Sequence, residues 1–313
     1  DDLTKKLFIN DVFEEIVEGF ESESPKNDDR LQWFKKWNTK WSTIDGMSDY
    51  FDRIAEELLD LDELKGSDDE LVASLAVAYQ RYRELLIEKN CVDFSHQQVF
   101  FLDLLNSTTE GDQVKRSIKY VMVDEYQDTN YVQEQLVFAL SSASKNLCVV
   151  GDEDQSLYRF RGATVRNILE FPARQPGCKE VKLSINYRSH SQIVSAYDTY
   201  MKNHDWSDPS GAQFRFDKTI VPNPNEVFSH YPSVIRVMGI SKDDEAAHLA
   251  DFIQYLKQQQ IINDFSQVAI LLHSVRSEHS SPYMNALEAR GIKSFCPLNG
   301  NFGFAATLIA SPF

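Results

Sequence analysis

From residue 118 onward, short apolar runs alternate with segments of helical periodicity, and this alternation constrains the fold more than any other feature of the sequence. The runs "IKYVMV" (118–123), "NLCVV" (146–150) and "EVKLSI" (180–185) each precede an amphipathic segment. The pattern resumes with "VIRVMGI" (234–240) and "QVAILLH" (267–273). Strands that alternate with helices of this length indicate parallel α/β sheets. The sequence therefore predicts the α/β class for this part of the chain.

The first 92 residues have a different pattern, which predicts helices alone. Residues 67–90 are apolar at helical spacing, and Ser67 and Glu70 are spaced as a capping box at the start. This region has 23 acidic against 12 basic residues, which accounts for −11 of the formal net charge of −16. Phosphate binding usually leaves a basic surface, so composition alone does not favour nucleic acid as a partner. Any DNA contact would depend on local patches in the rest of the chain.

The sequence contains no sign of a membrane segment, a disulfide framework or a zinc site. No apolar stretch approaches the length of a membrane span, and the first ten residues lack the architecture of a signal peptide. The four cysteines are scattered and form no CxxC pair: Cys91, Cys148, Cys178 and Cys296. We therefore expect a cytoplasmic protein with free thiols and no membrane partner.

Polar clusters follow three of the predicted strands, at residues 124–125, 151–155 and 186–188. In open α/β sheets, ligands bind beyond the carboxyl ends of the strands. An Asp that closes a strand can hold Mg²⁺, and an adjacent Glu can orient or deprotonate the water that attacks a γ-phosphate. Each cluster alone is more often a solvated strand end. The combination of three favours a site for nucleotide hydrolysis.

These strand ends resemble motifs II, III and IV of the UvrD/Rep/PcrA-type superfamily 1 DNA helicases, in the order of that family. The segments are "VDEYQDTN", "VVGDEDQSLYRFRGA" and "LSINYRS", and they follow "VDFSHQQVFFLDLL", which resembles the helix before motif II. The resemblance is specific over 93–203, extends over 234–296 and is weak over the first third. It implies a helicase that couples hydrolysis of ATP with Mg²⁺ to movement on single-stranded DNA and to duplex unwinding. It also implies a 3′ to 5′ direction and partners in DNA repair.

The fold that the resemblance implies is a pair of RecA-like P-loop NTPase motor domains with incomplete parallel sheets. Residues 1–92 would be a helical region similar in position to the inserted 1B-type subdomain. Residues 93–178 would be the C-terminal half of the first motor domain, and 179–313 the N-terminal part of the second. Sheets that lack strands would leave edges and apolar faces uncovered.

The resemblance also gives roles to residues at the first two strand ends. Asp124 and Glu125 would bind the metal, with Glu125 as the catalytic carboxylate. Gln155 would couple the state of the γ-phosphate to the DNA-binding surface, and Asp152 would lie beside it in the nucleotide site.

Further residues would come from the third strand end and from the loop after the second strand. Tyr187 would stack on adenine, and Arg188 would be the arginine finger from the second motor domain. Phe160 would stack on a base of single-stranded DNA, assisted by Tyr158 and Arg161. Stacking suits a motor because every base has a π-face. A packing role for Phe160 is the alternative, but the arginines on both sides favour stacking.

The Walker A pattern GxxxxGK[ST] does not occur in the sequence, and "GDQVKRS" (111–117) is its nearest imitation. Without that loop, the amides and the lysine that hold the β- and γ-phosphates are missing. The late helicase motifs are not found after Arg188 either. An inactive paralogue would be expected to lose Glu125 or Arg188, and both are present. We therefore expect a fragment of a longer helicase that by itself is inactive.

Other functions remain open from the sequence. The chain could be a non-catalytic helicase-like scaffold or a module that binds DNA or a partner. A metal-dependent nuclease could use the carboxylates at positions 124, 125, 128, 152 and 154, but this leaves the other two motifs without a role. The acidic first third could also serve as an interaction scaffold.

Overall fold

The chain forms two compact units in a computed structural model that describes residues 2–21, 39–156, 166–207, 209–228 and 230–296. The first unit comprises 1–183 and 204–219, and the second comprises 184–203 and 220–313. The chain therefore enters the second unit, returns to the first for residues 204–219, and then enters the second again. These units do not coincide with the three predicted segments, whose assignment as domains stays a proposal.

The first unit is mainly helical and contains one pair of strands. Its elements are α1 (Asp2–Asp11), α2 (Phe13–Glu21), α3 (Lys40–Glu56), α4 (Leu61–Lys65), α5 (Glu70–Glu88), α6 (Phe94–Ser107), α7 (Thr109–Ser117), β1 (Val121–Val123), α8 (Tyr131–Ser141), β2 (Leu147–Val149), α9 (Arg166–Leu169) and α10 (Phe171–Arg174). Single 3₁₀ turns follow the two strands, at Tyr126–Asp128 and Glu153–Gln155.

The second unit has the same kinds of element. They are β3 (Ile185–Asn186), α11 (Ser191–Lys202), β4 (Val221–Pro222), α12 (Lys242–Gln258) and α13 (Ser277–Glu288). A small apolar core joins α12 to the residues around α13, and it includes Ile253, Leu287 and Ile292.

One apolar core is shared by α1 to α6 and α8 of the first unit. It includes Ile9 of α1, Phe51 of α3, Tyr82 of α5 and Val132 of α8, none of which has exposed surface. The rings of Phe51 and Tyr82 are stacked with centroids 4.9 Å apart. Burial of a side chain of this size contributes about 1.5–3 kcal/mol to folding. The helices of the first 92 residues therefore share their core with the helix that follows β1.

The predicted capping box at the start of α5 is wrong. Helix α5 is capped by Asp69, whose Oδ1 accepts hydrogen bonds from the backbone amides of Leu71 at 2.9 Å and Val72 at 3.3 Å. Ser67 instead accepts a bond from the Asp69 amide at 3.2 Å. A carboxylate in this position satisfies amides of the first turn and interacts favourably with the helix dipole.

Each unit contains a parallel pair of strands. Strands β1 and β2 pair with Val121 opposite Leu147, and β3 and β4 pair with Ile185 opposite Val221. The mixed α/β character with small parallel sheets is therefore confirmed. In the first pair, helix α8 connects the two strands, as the sequence pattern predicts.

Three of the predicted strands are absent or shortened in the described residues. In the run at 180–185, only Ile185 belongs to a strand. The runs at 234–240 and 267–273 contain no strand. Their large side chains are exposed: Ile240 by 100% and Leu271 by 93%. A strand is stable only where a neighbour accepts and donates its backbone hydrogen bonds. Apolar runs of this kind therefore do not by themselves decide that a strand forms.

One face of the β1–β2 pair is apolar and uncovered. Met122 is 79% exposed, Tyr120 just before β1 is 75% exposed, and Cys148 on β2 is also exposed. An uncovered apolar face is the feature expected of a sheet that lacks neighbouring layers or strands. Among the described helices, none combines the length and the apolarity needed to cross a bilayer.

Candidate functional site

The chain turns sharply where β1 ends. Glu125 has left-handed backbone angles, φ 51° and ψ 42°, which are uncommon for a residue with a side chain and are concentrated at functional sites. The Tyr126 amide then donates to the Val150 carbonyl at 2.9 Å, so the turn stays attached to the second strand. This conformation leaves Asp124 and Glu125 exposed at the carboxyl end of the sheet.

Gln127 connects the ends of the two strands. Its side chain is buried, with 1% of the residue exposed. Its Nε2 donates to Glu125 Oε2 at 2.7 Å, and its Oε1 accepts from the Asp152 amide at 3.0 Å. The first two predicted strand ends are thereby brought together. The sequence assigned no role to Gln127, although an amide between acidic residues is the signal that could have indicated one.

Asp152 organises the turn after β2. Its Oδ1 accepts from the Asp154 amide at 3.2 Å, and its Oδ2 accepts from Gln155 Nε2 at 2.7 Å. Gln155 itself is exposed. The bond to Asp152 therefore holds the Gln155 amide at this strand end while leaving it accessible to a ligand.

Two basic residues of the segment 204–219 neutralise the acidic turn. Lys218 Nζ lies 3.0 Å from Glu153 Oε2 and 3.1 Å from Asp154 Oδ2, and it also contacts Asp152. Arg215 Nε lies 2.9 Å and 3.1 Å from the two oxygens of Asp154. Burial disfavours the charged lysine, but its hydrogen bonds to Asp152 and Glu153 outweigh burial and raise the pKa of Lys218. No sequence pattern had indicated these pairs.

The same ion pairs bear on where a metal could bind. Asp152, Glu153 and Asp154 could each offer an oxygen within 4.8 Å of the others, but Lys218 and Arg215 already satisfy these charges. Asp124, in contrast, is exposed, and only its bond from the Glu125 amide, at 3.0 Å, is seen among the described contacts. Mg²⁺ uses one or two carboxylates together with water and phosphate oxygens, so the donor set at β1 fits that ion. The neutralised turn disfavours the nuclease interpretation.

Asp128 is a further carboxyl group near Glu125. Its Oδ1 is buried without a hydrogen-bond partner in the part of the chain that the structure describes. Burial, and secondly the charge of Glu125, raise the pKa of Asp128 above its ordinary value. The negative charge of Glu125 therefore makes the ionisation of Asp128 less favourable.

A buried network supports the 3₁₀ turn after β1. The Tyr126 hydroxyl donates to Glu134 Oε1 at 2.9 Å, and Glu134 also contacts Arg174. Asn167 Nδ2 donates to the Thr129 carbonyl at 3.0 Å. Tyr126, Glu134 and Asn167 have no exposed surface. Helices α8, α9 and α10 therefore hold the turn that carries Glu125.

The third predicted strand end lies in the second unit. Asn186 Oδ1 accepts from the amides of Arg188 at 2.9 Å and Ser189 at 2.8 Å, which forms an Asx turn after β3. The turn leaves Arg188 exposed and Tyr187 70% exposed. Both side chains are therefore exposed on the surface of the second unit.

The residues proposed to contact nucleic acid are Tyr158, Phe160 and Arg161. They lie outside the described residues. Their roles stay predictions.

Comparison with known proteins identifies the family to which this chain belongs. Residues 3–176 match the family described as UvrD/REP helicase N-terminal domain, and the chain belongs to this family. The match includes the helical first third, where the motif resemblance was weak. The resemblance to superfamily 1 helicases of the UvrD/Rep/PcrA type is confirmed.

The similar curated proteins include two staphylococcal helicases. The ATP-dependent DNA helicase PcrA of Staphylococcus epidermidis is 32% identical over 198 residues, which cover 63% of this chain and 25% of that protein. The ATP-dependent DNA helicase PcrA of Staphylococcus aureus is 38% identical over 138 residues, which cover 44% of this chain and 19% of that protein. The chain therefore spans about a quarter of the length of the first relative and about a fifth of the second.

Proposed function

We propose that this chain is part of an ATP-dependent DNA helicase that moves along single-stranded DNA in the 3′ to 5′ direction and unwinds duplexes. One observation carries the proposal: Glu125 and Asp152, from two different motifs, are joined through Gln127 at the carboxyl end of a parallel strand pair. This is the place where α/β sheets bind nucleotides. The relatives are ATP-dependent DNA helicases, which supports ATP and DNA as ligands.

The first unit would supply the hydrolytic carboxylates. Asp124 would hold Mg²⁺, with Glu125 as a second ligand. Glu125 would orient the attacking water and take its proton. Gln155, held by Asp152, would contact the γ-phosphate and report its presence to the DNA-binding residues. Bound Mg²⁺ would neutralise charge on the phosphates.

Two residues of the second unit would take part in the hydrolysis of ATP. Arg188 would act as the arginine finger, and Tyr187 would stack on adenine. We also propose that 1–92, 93–178 and 179–313 correspond to the 1B-type region and to parts of two RecA-like motor domains. Phe160, Tyr158 and Arg161 would contact single-stranded DNA. Since the sequence contains no GxxxxGK[ST], the activity is proposed for the longer protein and not for these residues alone.

The test is ATP hydrolysis by the full-length protein with and without single-stranded DNA. Glu125→Gln removes the proposed base at nearly constant size, and we expect kcat to fall by about 100-fold or more. Glu110→Gln is the matched control, because it removes one charge from an exposed position on α7. If the unsubstituted protein shows no DNA-stimulated turnover above Glu125→Gln, the motor function is wrong. The scaffold interpretation would then stand.

A further inference from the structure

A continuous line of hydrogen bonds joins Glu125 to Gln155 through two intermediate residues. Gln127 Nε2 donates to Glu125 Oε2 at 2.7 Å, and the Asp152 amide donates to Gln127 Oε1 at 3.0 Å. Gln155 Nε2 then donates to Asp152 Oδ2 at 2.7 Å. The proposed base and the proposed γ-phosphate sensor are therefore parts of one bonded chain.

The orientation of the Gln127 amide is determined by its neighbours. A backbone N–H can only donate, so the group that faces the Asp152 amide must be Oε1. Nε2 then faces the Glu125 carboxylate, which can only accept. A residue with one donor and one acceptor in a single planar group is needed here. Glutamate when ionised lacks the donor, and leucine lacks both.

Gly151 provides the space for this amide. A Cβ atom at position 151 would lie 2.6 Å from Gln127 Oε1 and 2.8 Å from Ile168 Cδ1, closer than side-chain atoms approach in folded proteins. Gln127 is itself buried, so it has little room to move away. The glycine of the second motif therefore permits the bond that links it to the first.

We propose that Gln127 is a positioning residue that aligns the Glu125 carboxylate and couples it to the 3₁₀ turn carrying Gln155. This inference rests on the proposed function, because it gives Gln127 a task in the hydrolysis at Glu125. A shift of the turn after β2 moves the Asp152 amide, and through Gln127 it moves the carboxylate. Hydrolysis then depends on whether Gln155 is engaged.

The first test is Gln127→Glu in the full-length protein, measured as DNA-stimulated ATP hydrolysis. The new carboxylate can still accept from the Asp152 amide but has no donor for Glu125. We expect kcat to fall by about 10- to 100-fold, the usual effect of misplacing a catalytic group, while KM for ATP changes less than about twofold.

Gln133→Glu is the matched control for charge. Gln133 Oε1 accepts from the Asn130 amide at 3.2 Å, and a glutamate keeps that bond. The same charge is thus added on α8, and no hydrogen bond donated by the Gln133 side chain is lost among the described contacts. We expect its kcat to stay within about twofold of the unsubstituted protein.

Gly151→Ala tests the same bond without changing the chemistry of Gln127. The added methyl group should displace the amide, and kcat should fall with KM preserved. Full kcat in a folded Gln127→Glu protein would overturn the inference, and so would a loss of thermal stability without any loss of kcat. If the proposed function itself is wrong, the unsubstituted protein will show no DNA-stimulated hydrolysis of ATP. The two failures can therefore be distinguished.

Discussion

The hydroxyl group of Tyr126 donates a 2.9 Å hydrogen bond to Glu134, a carboxylate without exposed surface. Tyr126 directly follows Glu125, and Glu134 lies on α8. The bond therefore ties the turn that carries the proposed base to the helix behind it. Arg174 contacts the same carboxylate, so Glu134 keeps a compensating positive charge.

Tyr126→Phe is expected to lower the free energy of unfolding by about 1–3 kcal/mol, because a buried carboxylate loses a donor that water cannot replace. Urea denaturation of the chain measures this change. Tyr131→Phe is the control, since Tyr131 is 37% exposed and its hydroxyl can bond to water; its effect should stay below about 0.5 kcal/mol. Equal effects of the two substitutions would contradict the role of the bond to Glu134.

Asp93 is expected to make stability depend on pH. Its side chain is buried, which disfavours the charged form, but hydrogen bonds from His96 and Tyr82 outweigh burial and lower the pKa of Asp93. His96 Nδ1 lies 2.8 Å from one carboxylate oxygen, and the Tyr82 hydroxyl lies 2.6 Å from the other. A carboxyl with a lowered folded-state pKa stabilises the fold above its unfolded pKa, about 3.9. That contribution is lost as pH falls through the folded-state value.

Asp93→Asn should therefore destabilise the chain by about 1–3 kcal/mol at pH 7, and the difference from the unsubstituted chain should shrink below about pH 4. Unfolding free energies measured across this range provide the test. The control is Asp103→Asn, which changes an exposed carboxylate that pairs with Arg83 at 3.3 Å. A difference for Asp93→Asn that stays constant with pH would refute the assignment.

Lys218 is expected to be necessary for the turn after β2. Lys218→Met leaves three neighbouring carboxylates, with Arg215 as the cation partner that remains among the described contacts. We therefore expect a loss of about 3 kcal/mol at neutral pH, the lower range for breaking a buried pair. Calcium should restore part of this stability by taking the place of the ammonium. The measurement is thermal unfolding with calcium and with a chelator. Lys179→Met, at an exposed position, should show neither effect.

Gly111 and Gly66 form a matched pair for glycine substitution. A Cβ at Gly111 would lie 2.2 Å from the Leu104 carbonyl oxygen, whereas at Gly66 the nearest atom would be 3.4 Å away. Gly111→Ala should thus cost at least about 1–3 kcal/mol through overpacking between α6 and α7. Gly66→Ala, whose φ of −83° suits alanine, should be neutral or stabilising by about 0.4–1 kcal/mol. The measurement is the urea midpoint of each variant. Equal midpoints, or a lower midpoint for Gly66→Ala than for Gly111→Ala, would contradict this account.

Local pattern was enough to predict several elements of the fold. The periodicity of residues 243–260 predicts a helix, and α12 spans Lys242–Gln258. The apolar runs that end at Asp124 and at Gly151 correspond to β1 and β2, paired in parallel. These predictions succeed because helix periodicity, and an apolar run followed by a polar turn, are properties of neighbouring residues. The same reasoning failed at 234–240 and 267–273, where a strand depends on a partner elsewhere in the chain.

The sequence by itself determined the family and the identity of the strand-end residues, since short motifs carry that information in their own letters. Only the tertiary structure decided which side chains meet: Gln127 with the Asp152 amide, and Arg215 with Asp154 at a separation of 61 residues. Such contacts produce no periodic pattern in the sequence, because each partner alone is an ordinary polar residue. They exist because β1 and β2 end at the same edge of the sheet and because Arg215 and Lys218 lie beside the turn after β2.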